Sequence, residues 1–221
     1  MSLTLHAHPL SSFCWKVLIG LYENDIAFEN VMVNLGDPAG REAFLKLSPM
    51  GKMPALRDHL RDETVLETSV ILDYLDLRYP GRVRFVPQDP DLAWRTRFWD
   101  RFFDHYIHHP MQRIVADRIR PAEAGKDPYG VRESHAQLAT ACDHLEKQLA
   151  DGPNWMCGDF GLADCAAMPA LFYADKVQPP EAPFGDRWPL GLAYLERLKS
   201  RPSVQRVLAE AEPFFRYFPE A

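Results

Sequence analysis

Ser48-Pro49-Met50-Gly51-Lys52-Met53-Pro54-Ala55-Leu56 is the stretch on which the reading of the fold turns. Its first half, Ser48-Pro49-Met50-Gly51, closes a short helical run from Arg41 to Leu47, and its second half enters a strand candidate, Ala55-Leu56-Arg57. Pro54 stands directly before that strand. About 5–6% of X-Pro bonds are cis, and a cis bond at Met53-Pro54 would turn the chain so that Met53 offers its backbone N–H and C=O outward, like the edge of an unfinished strand. Upstream, Leu3, Leu5 and Ala7 alternate as a first strand, and Cys14 to Tyr22 sets Val17, Leu18, Leu21 and Tyr22 on one helical face. After the turn at Asn24-Asp25, Val31 and Val33 alternate again. Downstream, Thr64-Val65-Leu66 is a further strand candidate, and a helix from Thr68 to Arg78 ends at Pro80-Gly81. The order βαβαββα predicts a small α/β sheet domain over residues 1–80.

Beyond Pro87-Gln88-Asp89-Pro90, which reads as a linker, strand signals vanish and helical periodicity takes over, predicting an all-helical domain over residues 92–221. Trp94, Phe98, Trp99, Phe102, Phe103, Tyr106 and Ile107 form a broad apolar stripe, with Asp100 and Asp104 expected on the far side and Pro110 expected to kink or break the helix. Asp127-Pro128 supplies an N-cap and a proline at the first helical position for a long helix carrying Leu138, Cys142, Leu145 and Leu149. Further helices are predicted at Leu162 to Tyr173, Leu190 to Lys199 and Ser203 to Ala211, and Gln178 to Pro189 reads as a loop.

Composition narrows the function classes. The chain has 221 residues, 47% apolar and 25% charged, which suits a folded globular protein and not a disordered one. A formal net charge of −6, with 7 basic and 11 acidic side chains in residues 1–80, offers no basic surface for nucleic acid. The longest apolar stretch, Cys165 to Ala174, contains Pro169 and falls well short of the roughly 20 residues a membrane span needs. No secretory signal is visible, so the expected location is cytoplasmic, with no membrane partner. Four cysteines at 14, 142, 157 and 165 form no C-x-x-C pair and read as reduced thiols.

Three clusters could hold a small anionic ligand. Ser11-Ser12-Phe13-Cys14 lies between the first strand and helix, where an anion would meet helix-terminal N–H groups and the positive end of the macrodipole, although Ser11 or Ser12 could simply cap the helix. Lys52-Met53-Pro54 offers backbone and charge. Glu67-Thr68 opens the helix ending near Arg78: Thr68 as an N-cap is the plain explanation, and an amino-acid clamp is the functional one, with Glu67 on an ammonium and the Thr68 hydroxyl and N–H on a carboxylate. His105 and His109, four residues apart, have neither an acidic third ligand on their face nor an H-E-x-x-H motif, so no metal is expected.

In this order these residues resemble the glutathione transferase superfamily. The resemblance spans essentially the whole chain and rests on Ser11-x-x-Cys14-x-x-Val17, on the stretch from Ser48 to Leu56, and on Glu67-Thr68-Ser69-Val70-Ile71-Leu72-Asp73-Tyr74-Leu75. Phe160-Gly161-Leu162-Ala163-Asp164 is similar to the family's helix-start motif and Arg201-Pro202-Ser203-Val204 to its last-helix start. The resemblance implies a thioredoxin-like N-terminal domain followed by an all-α domain, glutathione as co-substrate, and a cytoplasmic homodimer. By it, Met53 would pair its backbone with the cysteinyl part of glutathione beside a cis Pro54, Lys52 would neutralise the glycine carboxylate, and Glu67 and Thr68 would hold the γ-glutamyl end. Thr68 replaces the family's usual serine but keeps the hydroxyl, and Gly161 replaces its usual serine or threonine.

Ser11 is similar to the activating serine of the theta, delta and zeta classes. No tyrosine is available for alpha, mu or pi chemistry, and the beta-class cysteine would fall near Phe13. Ser12 and Cys14 are the alternative activating groups; a working Cys14 would give mixed-disulfide chemistry. Tyr106, His109 and Met111 are the residues expected to line the electrophile pocket. The implied activity is glutathione conjugation to small hydrophobic electrophiles in detoxification. The rival readings are a glutathione-dependent isomerase or dehalogenase and a non-catalytic member that binds a protein partner.

Overall fold

In the computed structural model, which describes residues 2–150, 152, 154–179 and 181–219, the alternating Leu3, Leu5 and Ala7 form the centre of a sheet. Strands β1 (Leu3–Ala7), β2 (Glu29–Met32), β3 (Ala55–Asp58) and β4 (Glu63–Val65) pair in the order β2-β1-β3-β4. β1 runs parallel to β2 and antiparallel to β3, and β3 and β4 form an antiparallel hairpin. The central position of β1 explains why Thr4 is buried along with Leu3 and Leu5.

Helix α1 (Ser12–Glu23) crosses from β1 to β2 and packs on α3 (Thr68–Arg78). Gly20 permits the approach: a Cβ there would lie 2.3 Å from Leu72 Cδ2 and 3.1 Å from Phe85 Cζ. Helix α2 spans Pro38–Leu47, three residues longer than the apolar run suggested, because Asp37 caps it by accepting from Gly40 N and Pro38 sits at its first position. Its Phe44 packs with Val33 and Ala55, and Met53 and Leu66 lie against this cluster.

Asp58 fixes the β3–β4 hairpin. It is fully buried and accepts from Leu60 N (2.9 Å), Arg61 Nη1 (3.1 Å), and the hydroxyls of Tyr74 and Tyr79 (2.7 Å each). Burial alone would raise its carboxyl, but these donors outweigh burial and bring it from the ordinary 3.8 to about 2. A depressed folded-state pKa contributes stability that is fully present above the unfolded value and is lost as pH falls through the folded one. Asp58→Asn is therefore expected to destabilise the fold by about 2–3 kcal/mol at neutral pH. The gap between variant and parent, read from urea denaturation, should narrow as pH falls from 4 towards 2.

Contacts divide the chain into two units, one comprising residues up to Val86 with Pro202–Arg216, the other Pro87–Arg201 with the residues from Tyr217 on. The sequence reading put everything from residue 92 into the helical domain. The last helix, α10 (Pro202–Ala211), instead packs on α1. Ser203 donates to the buried Glu23 (2.5 Å), Tyr22 donates to Glu210, and Arg206 lies 3.9 Å over the Tyr22 ring. The turn that follows, Glu212–Tyr217, sets Phe215 edge-on to Trp15.

The second unit contains α4 (Pro90–Phe102), α5 (His109–Arg118), α6 (Pro128–Ala150), α7 (Leu162–Lys176), α8 (Phe184–Arg187) and α9 (Pro189–Lys199). The short α8 lies inside the segment expected to be a loop. Pro110 neither breaks nor ends its helix: the segment Phe103–His108 between α4 and α5 is π-helical, a widened turn that removes the clash a proline ring makes with the preceding turn. Asp100 and Asp104 do not form a solvated face. Both are buried, with the Arg101 guanidinium 2.8 Å and 2.5 Å from their carboxylates. Helix α7 is buried from Leu162 through Ala174 and forms the centre of this unit, as an all-round apolar helix must. Gly161 starts it in an extended conformation. Asp164 reaches back to accept from Gly161 N (2.9 Å), with Met156 N and the Tyr194 hydroxyl as further donors. Among the described residues no helix is long and apolar enough to cross a membrane.

Candidate functional site

The sheet register collects the three sequence clusters at one edge. β1 ends at Ala7 beside the start of β3 (His6↔Ala55), and β4 ends beside that same start (Leu56↔Val65). The segments leaving β1, entering β3 and leaving β4 thus emerge together, and they carry Ser11, Met53-Pro54 and Glu67-Thr68. Helices α1 and α3 both begin there, so both present unsatisfied N–H groups and the positive ends of their dipoles.

Ser11 is the N-cap of α1, and its Oγ accepts from Cys14 N at 3.4 Å. The capping explanation is therefore correct, and it does not exclude chemistry: a hydroxyl that accepts at a cap still carries a proton to donate. The preceding loop is tied down by Ser11 N donating to His8 O (2.9 Å) and Trp15 Nε1 donating to Pro9 O (2.6 Å). Ser11 is half-buried, whereas Ser12 is buried and Cys14 fully so. Burial pushes the Cys14 thiol up to about 11, against the opposing hydrogen bonds from Ser11 and the His8 backbone. Cys14 is thus a thiol at neutral pH, with no thiolate to offer. Burial also lowers the His8 imidazole from its ordinary value.

The Met53-Pro54 bond is cis. Met53 lies two residues before the last β1–β3 pair, so its N–H and C=O fall outside the ladder while its side chain packs against the Val33, Phe44 and Ala55 cluster. Lys52 is exposed, and the loop carrying it is set by a residue the sequence reading quoted without a role. The buried Ser48 Oγ donates to Lys52 O (2.8 Å), and Gly51 N donates to Ser48 O with Gly51 in the left-handed region at φ 63°.

Thr68 is not the N-cap of α3. The cap is Glu67, which makes no side-chain cap hydrogen bond, and Thr68 is the first helical residue, with a mostly buried side chain. The Glu67 carboxylate is exposed and is not used to close the helix. Its backbone stands at φ 67°, ψ 119°, a conformation that costs a non-glycine residue on the order of 1–3 kcal/mol. The other two positive-φ side chains among the described residues, Asp25 and Asp62, are aspartates, which tolerate that region better.

In the helical unit, Tyr106 is exposed and lines a groove of about 870 Å³ with Phe98, Phe102, His105 and, from α6, Gln137 and His144. His109 and Met111 do not line it: His109 is exposed elsewhere and Met111 is buried. The structure does not gather the three expected pocket residues in this groove. Among the described residues no three or more His, Cys, Asp or Glu are grouped to hold a metal.

A four-stranded mixed sheet with two helix N-termini, a cis Met53-Pro54 bond and the exposed Glu67 at one edge makes a thioredoxin-like unit, with a helical unit following it in sequence. The family described as glutathione S-transferase, N-terminal domain, matches residues 5–83, and the glutathione S-transferase, C-terminal domain, matches residues 128–197. Glutathione S-transferase 3 of Zea mays is 32% identical over 213 residues, covering 94% of this chain and 93% of that protein. Among solved structures, a glutathione S-transferase from Methylobacterium radiotolerans, in complex with glutathione sulfonate, is 27% identical with a TM-score of 0.79, covering 99% of this chain and 95% of that one. A glutathione S-transferase from Methylobacillus flagellatus with glutathione bound shares the fold at a TM-score of 0.83 and 24% identity, covering 93% of this chain and 98% of that one. The chain belongs to the glutathione S-transferase family, and its enzymatic class is that of a glutathione transferase.

Proposed function

We propose that this enzyme binds glutathione at the shared sheet edge and conjugates its sulfur to small hydrophobic electrophiles, with Ser11 as the group that holds the sulfur as a thiolate. Met53 pairs its backbone with the cysteinyl part, Lys52 faces the glycine carboxylate, and Glu67 with Thr68 takes the γ-glutamyl ammonium and carboxylate. The observation that carries this reading is Ser11 itself, a half-exposed hydroxyl whose oxygen accepts from Cys14 N and whose proton remains available at the N-terminus of α1. A hydroxyl donating to sulfur favours the charged form and lowers the thiol pKa, and the helix dipole acts in the same direction. The thiolate is the nucleophile: it forms the carbon–sulfur bond as the electrophile's leaving group departs, or as electrons move onto an activated double bond. Buried thiols at all four cysteines suit the reducing, glutathione-containing cytoplasm, and detoxification is the role proposed there.

Glutathione at 100 times its dissociation constant should stabilise the fold by roughly 2.7 kcal/mol, a melting-temperature rise of roughly 5–10 °C for a chain of this size. Turnover against a panel of aryl halides, epoxides and unsaturated carbonyls should then identify the substrates. A protein that shows neither the thermal shift nor turnover does not have this function.

We further propose a homodimer paired through the helical unit. Trp94, Phe98 and Tyr106 are about half exposed beside the groove between α4 and α6, more apolar surface than a solvated helix face carries. Light scattering at micromolar concentration should give about twice the 25.3 kDa chain mass. Phe98→Glu should shift the mass to that of one chain without lowering helix content, and an unchanged mass for this variant would place the interface elsewhere.

A further inference from the structure

The loop between β1 and α1, His8 to Ser11, is a single turn closed by the Ser11 N to His8 O bond (2.9 Å). The His8 ring tightens it: Nδ1 accepts from Leu10 N at 3.2 Å, a side chain taking the N–H two residues on, as turn-forming side chains do. A second tie is Trp15 Nε1 donating to Pro9 O (2.6 Å). Two aromatic rings, His8 and Trp15, thus help to set where the Ser11 hydroxyl stands, and each is braced from the far end of the chain. Phe214 meets the His8 ring edge-on, with centroids 6.0 Å apart and 70° between the planes, and Phe215 meets the Trp15 ring in the same way, at 6.1 Å and 76°. Both phenylalanines belong to the turn Glu212–Tyr217, which through Arg216 lies in the same unit as the loop.

A turn that served only to cover apolar surface could set its rings anywhere along α1. This one sets consecutive rings on the two side chains that tie the Ser11 loop. Placement matters at a reacting group, because a misplacement of about 1 Å can cost about 10²-fold in rate. We propose that Phe214 is a positioning residue for the reaction: packed on His8, it fixes the turn that aims the Ser11 hydroxyl at the glutathione sulfur, with Phe215 bracing the same loop through Trp15. This inference rests on the reading of Ser11 as the group that holds the sulfur.

The test compares kcat, the glutathione KM and the pH titration of the bound thiolate in the full-length parent, in Phe214→Ala, Phe214→Tyr and His8→Asn, and in the double variant of His8→Asn with Phe214→Ala. Asparagine keeps a side-chain acceptor for Leu10 N and removes the ring on which Phe214 packs. Phe214→Ala should lower kcat about tenfold below the thiolate pKa and move the titration up by about one pH unit, with the glutathione KM within about twofold of the parent. Phe214→Tyr keeps the ring edge and should stay near the parent. His8→Asn should show the loss seen in Phe214→Ala, and the double variant no more than either single, because one contact cannot be removed twice. Phe28→Ala is the control for lost packing: it removes a half-buried ring that meets Tyr22 near the other end of α1 (5.7 Å), so it should lower the melting temperature and leave kcat and the titration unchanged. Parental kcat and titration in Phe214→Ala, losses that add in the double variant, or an equal loss in Phe28→Ala would each overturn the role of Phe214. The reading of Ser11 would then still stand wherever Ser11→Ala moves the titration, and a Ser11→Ala enzyme that titrates like the parent would overturn both. If Phe214→Ala does not fold, His8→Asn decides, and parental kcat and titration there overturn the proposal.

Discussion

Replacing Ser11 with alanine is expected to lower kcat for conjugation by about 10²-fold while leaving the glutathione KM within about twofold of the parent. The magnitude is that of one donor lost from a site of developing or standing negative charge. The split between kcat and KM follows from geometry. The other proposed contacts, at Lys52, Met53, Glu67 and Thr68, lie on other segments and in this reading hold the ligand's two ends and backbone, leaving Ser11 the sulfur alone. The alanine also removes the acceptor for Cys14 N, a cap worth about 1 kcal/mol, so a modest drop in melting temperature should accompany the activity loss without explaining it. Cys14→Ser should leave turnover close to the parent's, because a fully buried thiol held up to about 11 is not the working group. Steady-state kinetics on both variants check this directly. Parental activity in Ser11→Ala, with a glutathione adduct lost only in Cys14→Ser, would reassign the chemistry to the cysteine.

Glu67→Gly is expected to separate folding from binding. Glycine adopts a φ of 67° without the penalty glutamate carries, so the empty protein should gain on the order of 1 kcal/mol of stability. The variant also deletes the carboxylate proposed to pair with the ligand ammonium. A hydrogen bond to a charged group contributes about 1.5–3 kcal/mol, so glutathione affinity should fall about 10- to 100-fold and most of the glutathione-induced thermal shift should vanish. Differential scanning calorimetry with and without glutathione reads both effects. A variant that is less stable and binds normally would show that the conformation at Glu67 serves packing and not recognition.

The order of elements in the first unit was legible in the sequence because its hydrophobic periods change cleanly from two to 3.6 residues, and the predicted span of α3, Thr68 to Arg78, coincides with the observed helix. Less legible was anything set by partners distant in sequence. That α10 belongs with α1 depends on Ser203 meeting Glu23 and Arg206 meeting Tyr22, pairs about 180 residues apart that periodicity cannot register. The burial of Asp100 and Asp104 escapes the sequence for a similar reason: a helix wheel assigns charges to water, whereas the Arg101 guanidinium bridges the two carboxylates and helps to make their burial tolerable. At the candidate site, the residue types at 11, 52–54 and 67–68 were readable, whereas the assignment of the α3 cap to Glu67 in place of Thr68 is a matter of backbone dihedrals. Lys16 is visible in the sequence as a charge inside an otherwise apolar stretch of α1, but the hydrogen bond it makes to Ser69 spans 53 residues and leaves no local trace.

The proposed role of Ser11 in keeping the bound sulfur ionised can be read from the ultraviolet absorbance of the glutathione thiolate in the enzyme–glutathione complex, titrated against pH. Thiolate absorbance is expected near neutral pH in the parent, well below the ordinary thiol pKa of about 8.5. In Ser11→Ala, glutathione should still bind and the titration should move back towards that ordinary value. A Ser11→Ala complex that titrates like the parent, with glutathione bound in both, would contradict it.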